Sequence, residues 1–207
     1  MMRLTNVASP QVWQPARHER IACMIDWPVA QPTLMHRDLI LRPWLPKDMD
    51  AVFDICQDPA IQEYTTVPVP YLREHARAFM ESRLDTEQRD HYSFAGVIDG
   101  RVVASISLHG IRTFDHIAEL GYWVAPQARG NHVASRGATL ITDFAFTIGF
   151  RRICALTLPE NQASQRTLLA AGFELEGIQR QAMTRRDGTQ TDSVLFAKFP
   201  PTSVVAD

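Results

Sequence analysis

The chain has 207 residues, 45% of them hydrophobic and 21% charged, enough to bury the core of one large domain. Lys plus Arg (21) nearly balance Asp plus Glu (23), for a formal net charge of −2. That balance excludes the basic footprint of a nucleic-acid binder. The cysteines, Cys23, Cys56 and Cys154, stand apart with no C-x-x-C pair or Cys/His cluster, so neither zinc nor a disulfide framework is expected. No long apolar run suggests a signal peptide or a membrane span. Together these features point to a soluble protein of a reducing compartment, the cytoplasm, with no membrane or nucleic-acid partner.

Residues 1–33 carry Pro10, Pro15, Pro28 and Pro32 without sustained periodicity. They read as an irregular arm that packs on the body or a partner, or as a dispensable leader if translation starts at Met24 or Met35. A single domain is expected over 34–207. It opens with a strand that ends before Pro43. Pro46 then starts a helix with Met49, Val52, Phe53, Ile55 and Cys56 at helical spacing, closed by Asp58-Pro59. A proline-rich loop follows, then a charged helix from Leu72 to about Arg89 with Ala76, Phe79, Met80 and Leu84 as its apolar stripe.

The period then changes to two. Strands are predicted over 93–98 and 101–108 around the hairpin signal Asp99-Gly100, and again over 117–124. A long helix is predicted from Arg129 to about Gly149, with Val133, Leu140, Ile141, Phe144 and Ile148 on its buried face. A strand over 153–158, a short helix over 163–171 ended by Gly172 and a strand over 173–180 complete the middle. Asp187-Gly188 turns the chain into a last strand near 193–199. Early hairpins and later strand–helix–strand units imply an α/β mixed sheet, mostly antiparallel, with helices on both faces.

Candidate chemistry concentrates at the start of the long helix. Unpaired amides and the positive end of the helix dipole make an anion site there, and Gly130 and the small Ala134 allow close approach. Glu119 is the only ionisable carboxylate in its strand. Among apolar neighbours it would lose solvation and rise towards the pKa of a general base; the alternative is a structural glutamate paired with an arginine. Asn161 and Ser164 lie three apart where the next helix begins, so Asn161 also fits a helix N-cap. Trp44, Tyr64 and Tyr71 suit either an acceptor pocket or core anchoring. His109 and His116 are expected to be exposed, Arg185-Arg186 to be a solvated hairpin tip and Cys154 to be core.

These segments resemble the GNAT superfamily of acetyltransferases, and within it the ribosomal-protein N-terminal acetyltransferases. The similarity rests on Gly121-Tyr122-Trp123-Val124-Ala125-Pro126, on Ala128-Arg129-Gly130 with Val133-Ala134, and on Pro159-Glu160-Asn161-Gln162-Ala163-Ser164 before Ala171-Gly172-Phe173. The resemblance implies a sheet with two splayed strands and acetyl-coenzyme A as co-substrate, without a metal. It implies that Arg129, Gly130, Asn131, His132, Val133 and Ala134 cradle the diphosphate. It also implies that Trp123, Val124 and Ala125 bind the pantetheine arm, that Asn161 steadies it and that Ser164 protonates the leaving thiolate. Glu119 would be the base, and Tyr64 and Tyr71 would face the amine acceptor, a protein N-terminus or a small molecule. His132 departs from the family pattern, which has glycine there; a helical backbone would tolerate it. A non-catalytic coenzyme A-binding module and a transferase using another donor such as succinyl-coenzyme A are the alternatives. Exposed β edges and the arm suggest a homodimer.

Overall fold

A computed structural model of the chain describes residues 25–85 and 91–201. Most of the N-terminal arm and the expected end of the charged helix, 86–89, lie outside the described residues. The elements run β1 (Leu34–His36), β2 (Leu39–Arg42), α1 (Met49–Ile55), α2 (Pro59–Tyr64), α3 (Arg73–Leu84), β3 (Tyr92–Ile98), β4 (Arg101–Arg112), β5 (Ile117–Val124), α4 (Val133–Thr147), β6 (Arg152–Thr157), α5 (Gln162–Ala170), β7 (Glu174–Thr184) and β8 (Gln190–Lys198). Short 3₁₀ turns at Pro46–Asp48 and Pro126–Ala128 precede α1 and the loop before α4.

The strands form one eight-stranded sheet in the order β1-β2-β3-β4-β5-β6-β8-β7. Every pairing is antiparallel except β5 with β6. Side chains alternate between the faces of the sheet, and each face has its own core. Phe94, Ile106, Leu108, Ala118 and Leu120 point towards α4, where Val133, Ala138, Ile141 and Ala145 form the buried stripe. Ala95, Val97, Val102 and Trp123 point the other way and meet Trp44, Val52, Ile55, Ala76 and Met80 of the α1–α3 layer. Each fully buried aliphatic or aromatic side chain contributes about 1.5–3 kcal/mol. Gly137 lets α4 lie close on the sheet: a Cβ there would stand 2.9 Å from Ile106.

Several boundaries differ from the expectation: α3 ends at Leu84 with Asp85 already extended, β4 runs on to Arg112 and β7 to Thr184, and three others have a local cause. The first strand is a hairpin, turned at Arg37 in left-handed backbone (φ 56°), and its turn residue Asp38 pairs with Arg136 of α4. Asp58-Pro59 does not only end a helix. Asp58 caps α2 by accepting from Ile61 N–H at 2.9 Å, and Pro59 takes the first helical position, which needs no N–H. The long helix begins at Val133 rather than Arg129, because Gly130 (φ 82°) and His132 (φ 56°) both take left-handed backbone. The Asp99-Gly100 hairpin has positive φ at both residues, as a type I′ turn requires.

Preceding β1, Ile25 is buried in the α4-side core. Trp27 packs on Phe150 and Tyr92, and Asp26 N–H donates to the Ile148 carbonyl.

Candidate active site

The parallel partners β5 and β6 pair only at Ile117–Glu119 with Arg152–Cys154. β5 continues to Val124 and β6 to Thr157 without further pairing between them, while β8 lines the opposite edge of β6, so the two strands part beyond Glu119. A groove of about 1320 Å³ opens at the fork. It runs from the start of α4 past the parted strands to α2, α3 and the loop after Tyr64. Glu119, Trp123, Val124, Arg129, Gly130, His132, Val133, Ala134, Asn161, Ser164, Tyr64 and Tyr71 all line it.

At one end, the first main-chain bond of α4 is Arg136 N–H to the His132 carbonyl (3.0 Å), so the amides of Val133, Ala134 and Ser135 have no partner within the helix. All three residues border the groove. His132 is not helical, contrary to the condition under which its side chain was expected to be tolerated. It occupies a left-handed N-cap position, where histidine is one of the less disfavoured side chains. This is the conformation for which glycine is the default residue. The Arg129 side chain leads away: it pairs with Asp58 and donates from Nε to the Val124 carbonyl (3.2 Å). Ala125 and Asn131 do not line the groove. Ala125 is fully buried and gives its N–H to Val103 O (2.8 Å), and exposed Asn131 offers its carbonyl to Arg136 (3.4 Å).

Along the fork, Asn161 caps α5 by accepting from Ser164 N–H (3.0 Å), which leaves its NH₂ outside that bond. Ser164 Oγ lies 2.8 Å from the Tyr122 hydroxyl, reaching across from β5. Burial pushes the Tyr122 phenol up, only partly countered by bonds to Ser164 and Thr167, so it stays protonated through neutral pH. Thr157, 4% exposed, also borders the groove, and its Oγ1 is buried without a hydrogen-bond partner. Such an atom in a concave site is a place for a ligand's polar group. Tyr122 and Thr157 carry no sequence signal of their own, since both fit a buried strand.

At the other end, Glu119 is half-buried, and among the described residues it forms no ion pair with an arginine. Directly opposite on β4 stands His109, which also lines the groove rather than facing open solvent. Its imidazole occupies space that Gly121 leaves: a Cβ at 121 would stand 2.8 Å from His109 Nε2. His116 is buried instead, its Nδ1–H donating to Gly149 O at 2.8 Å. Trp44 is core, with Nε1–H bonded to Ser93 Oγ (3.0 Å). Tyr71 is buried between Phe53 and His75, whereas Tyr64 is 41% exposed on the groove wall.

The hairpin tip is not simply solvated. Arg185 pairs with Glu160 (2.6 Å), and Arg186 donates to three carbonyls of the opposite wall, Gln62 (2.6 Å), Thr65 (2.9 Å) and Val67. The short helix α2 is thereby held at both ends, by Arg129 through Asp58 and by Arg186.

Comparison with known proteins agrees with this geometry. Residues 38–174 match the acetyltransferase (GNAT) domain family. YoaA of Bacillus subtilis (strain 168), an uncharacterized N-acetyltransferase, is 27% identical over 182 residues, covering 82% of this chain and 98% of YoaA. Among solved structures, the ribosomal-protein-S5-alanine acetyltransferase of Vibrio fischeri superposes with a TM-score of 0.73 at 17% identity, covering 83% of this chain and 98% of that one. RimJ of Mycobacterium smegmatis, in complex with CoA-disulfide, gives 0.71 at 23% identity, with 81% and 86% covered. With its family model matched over more than half its length, this chain belongs to the GNAT acetyltransferases and is an N-acetyltransferase.

Proposed function

We propose that the groove binds acetyl-coenzyme A and a primary amine together and that Glu119 and Ser164 each move one proton of a direct acetyl transfer. One observation carries the reading: a single continuous groove holds the unpaired amides of α4, the fork between β5 and β6, and both a carboxylate and a hydroxyl. The groove fits such a donor. Amides of Val133, Ala134 and Ser135 suit a diphosphate. The fork suits an extended pantetheine arm, with the Asn161 NH₂ and the orphaned Thr157 hydroxyl as polar partners. Bound there, the thioester supplies an activated acetyl carbon.

The acceptor enters from the α2–α3 side as an ammonium, which cannot attack until it loses a proton. An α-amino group, with a reference pKa of about 8, gives it up more readily than a lysine at about 10.4. Glu119 takes that proton, directly or through water, with His109 beside it. As the nitrogen–carbon bond forms and the carbon–sulfur bond breaks, the nitrogen sheds its second proton to solvent water, and Ser164 gives its proton to the departing sulfur. Tyr122, 2.8 Å from Ser164 Oγ, replaces that proton and is reprotonated from solvent, as Glu119 gives up its proton there before the next turnover. A non-catalytic coenzyme A-binding module would have had His132 as its support, but His132 keeps the left-handed backbone of a glycine position.

Glu119→Gln tests the assignment. Turnover is expected to fall by roughly 10²–10⁴-fold while acetyl-coenzyme A affinity, measured by calorimetry, stays within about twofold. Unchanged turnover across the pH range removes Glu119 as the base. Absence of any acetyl-coenzyme A binding to the wild-type chain removes the whole reading.

A cytoplasmic setting belongs to the same reading. It is supported by the free thiols of Cys56 and Cys154. Among the described residues no helix is long and apolar enough to cross a membrane.

A further inference from the structure

On the acetyl-transfer reading above, two protons leave the nitrogen, one before attack and one as the bond to carbon forms. Glu119 holds the first, so the second calls for another base close by. Among the described residues lining the groove, the imidazoles are His75, His109 and His132. His75 Nδ1 already accepts from Leu72 N–H at 3.0 Å, and a neutral imidazole has only one such lone pair. His132 stands at the other end, where α4 begins.

His109 is placed differently. It is the cross-strand partner of Glu119, so both side chains leave one face of the sheet with Cβ atoms about 4.5–5.5 Å apart. Among the described residues neither side chain has a hydrogen bond or an ion pair, and the space between them is left to a third group. The His109 ring leans past Glu119 towards the fork. Its Nε2 lies 2.8 Å, and its Cδ2 3.1 Å, from the point that a Cβ on Gly121 would occupy. Gly121 follows Glu119 by two residues on the same face, where β5 has already parted from β6. Any side chain at 121 would close that place to the ring. Ser107 Oγ, beside the same hollow, is taken up by the Gly121 carbonyl (3.2 Å).

Resting on the acetyl-transfer reading, we propose that His109 is a second proton acceptor of the reaction, seated by Gly121. As the nitrogen–carbon bond forms, the nitrogen passes its second proton to His109 Nε2, and the imidazolium releases it to the water of the open groove. Glu119 and His109 thus divide the two protons of the ammonium between facing strands, and neither has to hold both.

The test uses the full chain, acetyl-coenzyme A and the best acceptor from a panel of primary amines and free peptide N-termini. Thiol release gives the rate, and calorimetry gives the donor affinity. His109→Gln is expected to lower kcat roughly tenfold, water serving in its stead, with donor affinity within about twofold. In His109→Ala, free imidazole is expected to raise kcat roughly threefold or more in a concentration-dependent way while leaving the wild type unmoved. Gly121→Ala displaces the ring and is expected to cost about as much as His109→Gln, with no further loss when the two are combined. Wild-type kcat in His109→Gln overturns the proposal. So does a loss in His109→Ala that imidazole leaves untouched, or a double variant whose losses multiply. A wild-type chain that releases no thiol with any acceptor fails differently: it defeats the acetyl-transfer reading, and this inference falls with it.

Discussion

The two ends of the groove are built by opposite means. The donor end is consecutive chain: strand β5, a 3₁₀ turn, two left-handed residues and the first turn of α4, all between Ile117 and Ser135. The groups proposed to hold the diphosphate there are main-chain amides, whose positions follow from backbone conformation alone. The acceptor end is assembled from distant segments. Arg186 reaches Gln62, Thr65 and Val67 across sequence separations of 124, 121 and 119 residues. The difference teaches where each kind of change should act: backbone conformation governs the donor, and side-chain ties govern the acceptor.

The largest effect beyond Glu119 belongs to the junction between the two ends. Ser164→Ala should lower kcat roughly 10- to 100-fold with both KM values little changed, and Tyr122→Phe should lower it less, since water can then serve Ser164. Equal losses in the two variants would show that the tyrosine, not the serine, delivers the proton. Next comes Gly130→Ala, which forces a Cβ onto a backbone with φ of 82°. At about 1–2 kcal/mol this should raise the KM for acetyl-coenzyme A about tenfold and leave the acceptor KM alone. Arg186→Ala should do the reverse, raising acceptor KM about three- to tenfold while calorimetry finds donor affinity unchanged. If both constants moved together in either variant, the separation of the two ends would be wrong.

The smallest effect concerns the tie between them. Arg129 holds the Asp58 carboxyl below its ordinary value, chiefly through their hydrogen bond. A carboxylate depressed in the folded state stabilises the fold above its unfolded pKa of about 3.9, and that contribution disappears as pH falls through the lower folded value. The melting-temperature difference between wild type and Asp58→Asn, which keeps an α2 cap, is therefore expected to stay flat from pH 8 to 5 and to shrink below about pH 4. A difference that vanishes already at pH 6 would assign the tie to another group.

The same contrast explains how much was legible in the sequence. Sheet and helix order were legible because their signals are local: Asp99-Gly100 demands a turn, and Asn161 ahead of a helical run a cap. The start of α4 was misplaced because His132 carries no glycine to mark its positive φ. The hairpin at Arg37 was missed for the same reason. Asp58-Pro59 did carry an N-cap and first-turn signal for α2, but after an apolar helical stripe it read as a stop. Arg186, His109 and Thr157 were illegible in principle. Each gains its role from a neighbour far along the chain, and pattern within a window cannot report that.

Arg186 has a practical consequence for remodelling acceptor choice. Because its guanidinium satisfies carbonyls rather than side chains, the 62–67 segment can vary in residue type without losing its anchor, provided its path is kept. A graft of the 185–189 hairpin from another enzyme would sever that anchor. Exchange of specificity here therefore calls for transplanting both segments as one cassette.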